Sequence, residues 1–206
     1  MIKAIIFDAD GVLLDNTKIF IREFIETGRK LNLRVPTIPK VRKTFGLTYE
    51  DILKRLYGRK DNKIKETYLE VIRNRRQEKI MDNLEYFIKR LKVREAVVTS
   101  RSLKSLKRNL KDIIRFFEVV ITREDTKKHK PNPEPLLLAC KKLEIKPEEA
   151  IYVGDAVIDY QAAKNAGMNF IGFISGSASK EDFKKLNARY VTSMKDLLKN
   201  LNIKSK

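Results

Sequence analysis

The sequence has 206 residues, 42% hydrophobic and 35% charged, with a formal net charge of +18, a balance that is typical of a globular protein and excludes an intrinsically disordered chain. Its one cysteine, Cys140, excludes an intrachain disulfide and fits a reducing compartment. The apolar run before the first carboxylate is too short for a secretory signal, and no stretch approaches the roughly 18 apolar residues of a membrane span, so we expect a cytoplasmic protein with no membrane partner.

Short apolar runs alternate with helical spacing along most of the chain. Leu84, Phe87, Ile88 and Leu91, for example, recur at the spacing of one helical face. Apolar strands that alternate with amphipathic helices are typical of a parallel sheet covered on both faces. We therefore predict an α/β fold with a three-layer, Rossmann-like core. The predicted strands are Lys3–Phe7, Glu95–Thr99, Phe117–Ile121, Ala150–Val153, Asn169–Phe173 and Arg189–Val191.

One segment, Asn16–Ile80, interrupts the alternation because it contains helical patterns and no convincing strand. Ile21 and Phe24 fall on one helical face, and the prolines Pro36 and Pro39 mark a connection between helices. We predict that residues 16–80 form an all-helical cap domain, inserted into a Rossmann-like core of residues 1–15 and 81–206.

The excess positive charge is concentrated in this predicted cap. The segment holds 18 Lys and Arg residues against 8 Asp and Glu, a net +10 of the total +18. Such charge favours either contact with polyanions, such as nucleic acid or phosphorylated metabolites, or a solvated basic surface. Because the sequence has no block of five or six consecutive basic residues, the solvated surface is the preferred interpretation, and nucleic acid is not the favoured partner.

A pair of carboxylates, Asp8 and Asp10, follows the first predicted strand and is followed in turn by Gly11. Ligands of parallel sheets bind beyond the carboxyl ends of the strands, and glycine lets the backbone turn sharply there. Two carboxylates at this spacing can take different roles, one as nucleophile and the other as proton donor. Asp-rich turns after strands are also common for structural reasons alone.

A second carboxylate pair, Asp155 and Asp159, follows the strand Ala150–Val153. Mg²⁺ prefers oxygen ligands and usually takes one or two carboxylates together with substrate phosphate. Asp155 could therefore bind the ion directly, and Asp159 could approach the same ion or its water shell.

Two further polar clusters offer partners for phosphate. Thr99, Ser100 and Arg101 follow the run Glu95–Val98, and their hydroxyls and amides could hold phosphate oxygens. Lys130 lies in a proline-rich loop and could neutralise negative charge on a nucleophile and a phosphoryl group. A single threonine or lysine is usually a surface residue, but four polar clusters in this order are harder to explain without a shared site.

In order and separation, the four clusters resemble the four motifs of the haloacid dehalogenase superfamily. The segment from Gly154 to Met168 is especially similar to the fourth motif of that family and the helix after it. The resemblance covers essentially the whole chain, with Asn16–Ile80 matching the inserted helical cap, and the nearest branch is the phosphoglycolate phosphatase-like group. It implies a Mg²⁺-dependent phosphatase that hydrolyses a small phosphomonoester, a phosphorylated metabolite, through an aspartyl-phosphate intermediate.

The resemblance also implies roles for the carboxylates. Asp8 would attack phosphorus, and Asp10 would protonate the leaving oxygen and then activate the water that hydrolyses the intermediate. The Mg²⁺ site would be formed by Asp8, the backbone carbonyl of Asp10, Asp155 and, in support, Asp159.

The same resemblance implies that Thr99 and the Ser100 amide bind the transferred phosphoryl group, with Lys130 beside it. Phosphoryl transfer depends on in-line positioning and charge neutralisation, which these residue types supply. Cap residues near the specificity loop of the family, Phe45 and Gly46, are candidates for substrate recognition.

Arg42 and Lys43, which flank that loop, are further candidates for substrate recognition. A basic cap would suit a substrate with a carboxylate or a second phosphate. The alternative is that both residues belong only to a solvated surface.

Three related activities and one unrelated class are alternatives. Dehalogenation needs no carboxylic acid two residues after the nucleophile, so Asp10 favours phosphoryl transfer. Phe20 stands where many phosphosugar mutases and phosphatases of this branch have a histidine, and the only histidine, His129, lies beside Lys130 and is interpreted as a loop residue. A phosphonate-cleaving relative would use a cap lysine, and the cap has many. A non-catalytic member that binds nucleic acid or protein is the alternative of another class.

Overall fold

The computed structural model describes residues 1–58, 61–73 and 78–201. Its main sheet has six strands, all parallel, and a separate antiparallel pair of very short strands lies beside it. The strands are β1 (Ala4–Phe7), β2 (Leu14–Asp15), β3 (Lys79–Ile80), β4 (Arg94–Val98), β5 (Val119–Ile121), β6 (Ala150–Gly154), β7 (Asn169–Phe173) and β8 (Tyr190–Val191). The order in the main sheet is β5-β4-β1-β6-β7-β8, so β1 is a central strand.

Helices connect these strands, and none in the described residues is long and apolar enough to span a lipid bilayer. Two 3-10 helices, Lys111–Phe116 and Pro147–Glu149, supplement them. The α-helices are α1 (Thr17–Lys30), α2 (Ile38–Arg42), α3 (Tyr49–Tyr57), α4 (Asn62–Arg73), α5 (Leu84–Ile88), α6 (Leu103–Leu110), α7 (Glu134–Lys142), α8 (Val157–Asn165), α9 (Lys180–Lys185) and α10 (Met194–Asn200).

The main sheet is buried on both faces because successive residues of a strand point to opposite sides. Ile5 and Phe7 of β1 face a hydrophobic layer that includes side chains of α5, α6 and α10. Ala4 and Ile6 face the opposite layer, which α7 and α8 cover. The predicted α/β fold with three layers is confirmed, and each predicted strand agrees with an observed one to within two residues at either end.

The four helices α1–α4 lie between β1 and β4 in the chain and share a hydrophobic cluster of their own. Phe24 of α1 stacks on Tyr68 of α4 with ring centroids 5.0 Å apart. Ala156, which lies between β6 and α8, belongs to the same cluster. The expectation that residues 16–80 contain no strand is wrong at its end, because β3 pairs with β2. A strand of two residues is too short to leave an alternating pattern in the sequence.

Candidate active site

Three functional candidates lie at the carboxyl edge of the main sheet because their strands are neighbours there. Asp8 follows β1, Thr99 follows β4, and Asp155 follows β6. Strand β1 lies between β4 and β6, and its last residue, Phe7, is in register with Val97 on one side and with Val153 on the other. The parallel register therefore brings chain segments that are far apart in sequence to a single edge.

A cluster of buried carboxylates occupies this edge. One ligand oxygen from each of Asp8, Asp155 and Asp159 lies within 4.8 Å of those of the other two, and the three residues are at most 3% exposed. Burial raises the pKa of Asp8 to about 7, opposed by the charge of Lys130. Burial and the charges of Asp159 and Asp8 hold the pKa of Asp155 well above its usual range.

Burial away from water is the main cause of both pKa shifts, and the neighbouring carboxylates raise both pKa values further. A hard divalent cation prefers carboxylate oxygens and would favour the ionised form of every member of the cluster. The donor set of Asp8 and Asp155, with Asp159 beside them, therefore fits a divalent metal ion.

Lys130 is buried beside Asp8. Its Nζ lies 3.1 Å from Oδ1 of Asp8 and 2.7 Å from Oδ1 of Asp159, and it donates a hydrogen bond of 3.0 Å to the hydroxyl of Tyr152. Burial alone would lower the pKa of Lys130, but the charges of Asp159 and Asp8 raise it well above its usual range. The site therefore holds a permanently charged ammonium group against the candidate nucleophile.

Asp159 connects this lysine to the start of helix α8. Its Oδ1 also accepts a hydrogen bond of 3.1 Å from the Tyr152 hydroxyl, and its Oδ2 accepts one of 3.1 Å from the backbone N–H of Ala156. Gly154 makes this approach possible, since a Cβ built there would lie 2.4 Å from Cβ of Asp159. Both oxygens of Asp159 are therefore engaged within the protein.

Asp155 is held by a hydrogen bond of 3.1 Å that the Ser175 hydroxyl donates to its Oδ2. Gly11, in the turn after Asp8, has a φ of +74°, which favours glycine. A Cβ built on Gly11 would lie only 2.1 Å from the same Oδ2. Gly11 is therefore required for the close approach of the turn to Asp155 as well as for the turn predicted from the sequence.

The environment of Asp10 differs from that of Asp8. Its Oδ1 accepts a hydrogen bond of 2.6 Å from Nδ2 of Asn16 and lies 3.2 Å from Nε of Arg101. The Asp10 side chain is 26% exposed, whereas that of Asp8 is 3% exposed. The two carboxylates thus face different partners and differ in exposure.

Glu78 joins the partners of Asp10 into a buried network. Its Oε2 accepts a hydrogen bond of 2.5 Å from Asn16, and its Oε1 lies 2.5 Å from Nη2 of Arg101. The backbone N–H of Glu78 donates a hydrogen bond of 3.1 Å to Oδ1 of Asn109. The side chain of Glu78 is completely buried. The sequence gives no signal for this network, because none of Asn16, Glu78 and Asn109 belongs to a motif and Asn16 and Glu78 are 62 residues apart.

The phosphate-binding candidates after β4 lie at the same edge. Thr99 is buried, and its Oγ1 accepts a hydrogen bond of 3.2 Å from the backbone N–H of Arg101. The Ser100 hydroxyl donates a hydrogen bond of 2.7 Å to the backbone carbonyl of Gly46, which lies in the loop between α2 and α3. Ser100 therefore connects the sheet edge to the predicted specificity loop.

The cap candidates line two cavities, and Phe45 lines both of them. Phe45 and Gly46 line a small cavity of about 40 Å³ together with Asp8, Asp10 and Asp155. Arg42 and Lys43 are exposed and instead line a different cavity of about 690 Å³, on the side of α8. Proximity in sequence to Phe45 therefore does not bring these two basic side chains to the cavity beside Asp8.

Comparison with known proteins gives this site a context. The family model described as haloacid dehalogenase-like hydrolase matches residues 5–173. The PpaX protein of Caldanaerobacter subterraneus is 32% identical over 186 residues, which cover 82% of this chain and 80% of that protein. Pyrophosphatase PpaX of Bacillus cereus is 28% identical over 176 residues, covering 81% and 80%.

A shorter sequence match and a solved structure of similar fold add to these comparisons. The phosphoglycolate phosphatase of Salmonella choleraesuis is 46% identical over 65 residues, which are 32% of this chain and 26% of that one. The structure of CbbY from Rhodobacter sphaeroides in complex with phosphate has a similar fold, with a TM-score of 0.78, 23% identity and 96% of both chains covered. The predicted superfamily and the prediction of an enzyme are confirmed at this level: the chain belongs to the haloacid dehalogenase-like hydrolases.

Proposed function

We propose that the protein is a Mg²⁺-dependent phosphatase that hydrolyses a small phosphomonoester through an aspartyl phosphate on Asp8. One observation carries this proposal, which is the convergence of three segments, bearing Asp8, Lys130 and Asp155 with Asp159, on a single cluster. In that cluster the buried ammonium of Lys130 lies 3.1 Å from Asp8, and the carboxylates of Asp155 and Asp159 are close enough to share a cation with Asp8.

In the first step, a carboxylate oxygen of Asp8 attacks phosphorus, and the bond between phosphorus and the leaving oxygen breaks. Asp10 gives its proton to that oxygen, so the leaving group departs as a neutral alcohol. In the second step, Asp10 takes a proton from water, and the water oxygen attacks phosphorus. The bond to Asp8 breaks and inorganic phosphate leaves. Asp8 is then a free carboxylate and Asp10 is protonated, as both were at the start.

The surrounding residues supply the charge and the orientation that these steps need. Lys130 would neutralise the nucleophile and one phosphoryl oxygen, while Thr99 and the Ser100 amide would hold the other oxygens. Asp8, Asp155 and the Asp10 carbonyl would hold Mg²⁺, which offsets the negative charge of the phosphoryl group when bound. Asp159 would support this site by fixing Lys130, consistent with the distance of 2.7 Å between them.

We further propose that residues 16–80 act as a cap over the core of residues 1–15 and 81–206, and that the protein acts in the cytoplasm. The names of the relatives, pyrophosphatase and phosphoglycolate phosphatase, favour small phosphorylated substrates. Phe20 occupies the position where many phosphosugar mutases and phosphatases of this branch have a histidine, and it lines the small cavity beside Asp8, which argues against phosphosugar transfer.

The test is release of inorganic phosphate from a panel that contains 2-phosphoglycolate, pyrophosphate, sugar phosphates and p-nitrophenyl phosphate, with Mg²⁺ and with EDTA. We expect turnover of at least one substrate that EDTA stops and that Asp8→Asn abolishes. Asp112→Asn is the matched control, because Asp112 is exposed and outside the site. Turnover that persists in EDTA contradicts the metal assignment. Absence of turnover, together with salt-dependent binding of RNA or DNA, supports the non-catalytic alternative instead.

A further inference from the structure

A second cavity, of about 210 Å³, opens beside Asp10 and Ser100 and adjoins the small cavity next to Asp8, with which it shares both residues. One wall is apolar and aromatic and comes from α1, α3 and α4, with Phe24, Tyr49 and Tyr68 among its residues. A phosphoryl group on Asp8 would direct its leaving group towards Asp10, and this cavity lies on that side. Its size suits a small organic leaving group.

Another part of the wall is strongly basic. It contains Arg101, Arg108 and Arg123, and Asp10 is the one carboxylate among the described lining residues. Arg101 pairs with Glu78 and Asp10, so its charge is already matched.

The other two arginines of the wall form weaker or fewer ion pairs than Arg101. Arg123 lies over the ring of Tyr49, 4.8 Å from its centroid, and 3.5 Å from a carboxylate oxygen of Glu50. Arg108 is exposed, and its side chain forms no ion pair with any residue in the described part of the chain. The cavity therefore has at least one cation available to a ligand.

Helix α6 presents Arg108 to the cavity by its periodicity. Ser102, Ser105 and Arg108 recur at intervals of three residues, which places them along one side of the helix, and all three line the cavity. Six residues of helix span about 9 Å, so Arg108 lies at the far end of the cavity from the catalytic edge. A guanidinium group offers paired N–H donors that match a carboxylate or a phosphate.

We propose that this cavity holds the leaving part of the substrate and that Arg108 binds a second anionic group on it, a carboxylate or a phosphate. Arg108 is thus a specificity-determining residue, and the preferred substrates are phosphate esters or anhydrides whose leaving group is itself an anion. This inference rests on the proposed phosphatase function. It assigns the recognition of substrate charge to the core helix α6 rather than to Arg42 and Lys43, which line a different cavity.

The experiment compares matched substrates by steady-state phosphate release in Mg²⁺. Glycerol 2-phosphate has a neutral leaving group, 2-phosphoglycolate has one with a carboxylate, and pyrophosphate has one that is a phosphate. We expect Arg108→Ala to lower kcat/KM about 10- to 100-fold for the anionic pair, mainly through KM, and to change it less than about twofold for glycerol 2-phosphate. Arg108→Lys should restore part of the loss, and the better of the two anionic substrates identifies the anion.

Lys107→Ala is the matched control because it removes one positive charge from the adjacent residue, which is exposed and does not line the cavity. Equal losses for all three substrates, or equal effects of Lys107→Ala and Arg108→Ala, overturn the inference while leaving the phosphatase proposal intact. If the wild-type protein turns over no phosphate ester or anhydride, the proposed function fails and the inference fails with it. Thermal melting checks that each variant is folded.

Discussion

The substitution Glu78→Gln tests the buried network around Asp10. It keeps the size and shape of the side chain but removes the negative charge that lies 2.5 Å from Nη2 of Arg101. It also replaces one acceptor oxygen by an NH₂ group, so Asn16 or Arg101 loses a hydrogen-bond partner. Both Glu78 and Arg101 have side chains that are at most 6% exposed, so water cannot replace the lost contacts.

The magnitude follows from that burial. Removing one partner of a buried ion pair costs about 3–5 kcal/mol, and the remaining oxygen of glutamine favours the lower end of that range. For a chain of 206 residues, each kcal/mol shifts Tm by roughly 2–4 °C, so Tm should fall by about 6–12 °C. Because Glu78 no longer holds Asn16 and Arg101 in place beside Asp10, kcat should fall as well.

The assay is thermal unfolding followed by circular dichroism, combined with phosphate release from the best substrate. The control is Glu85→Gln, since Glu85 pairs with Lys89 on the surface and its side chain is 52% exposed. We expect no measurable change in Tm for that control. A Glu78→Gln variant that melts within 2 °C of the wild type and retains its full kcat refutes the role given to the network.

Three further predictions concern the carboxylate cluster. Gly11→Ala should lower kcat/KM at least tenfold, because the new Cβ would clash with Asp155. The control is Gly167→Ala, which is also at positive φ but has no atom within 4 Å of the new Cβ, so it should affect only Tm. Equal activities of the two variants contradict the steric argument. The metal-free protein should lose stability as pH rises from 5 to 8, because the pKa of Asp8 is raised to about 7 and the folded state retains a proton that the unfolded state has already released. Mg²⁺ should therefore raise Tm more at pH 8 than at pH 5, and Asp8→Asn should flatten this dependence; a pH-independent Mg²⁺ effect argues against the site. Lys130→Met should abolish turnover and destabilise the protein more at pH 8 than at pH 5, because the Lys130 charge that opposes the raised pKa of Asp8 is then lost. Equal Tm losses at both pH values contradict this.

The sheet and its edge could be predicted from the sequence because their signals are local. Buried parallel strands appear as apolar runs, and the residue that follows each run lies at the carboxyl edge of the sheet. Asp8 and Asp155 could therefore be assigned to one site before any coordinates were considered. The pair β2–β3 left no such signal, since a ladder of two residues on each side has no period to detect.

The contacts that depend on tertiary packing could not be predicted in this way. Glu78 is one glutamate among many in a charged segment, and its partner Asn16 is 62 residues away. Arg42 and Lys43 are close to Phe45 in sequence, but of these three residues only Phe45 lines the small cavity beside Asp8. Arg108 lies on a helix whose apolar face alone was visible in the sequence pattern.

The network at Glu78 has a mechanical consequence. Asn16 and Glu78 are adjacent to β2 and β3, the two short strands at which the chain leaves and re-enters the main-sheet side of the molecule. The hydrogen bond between Asn16 and Glu78 therefore joins the two ends of the chain segment that contains α1–α4. Because Asn16 and Arg101 both contact Asp10 and both pair with Glu78, the position of the Asp10 carboxylate depends on how these two ends are held together.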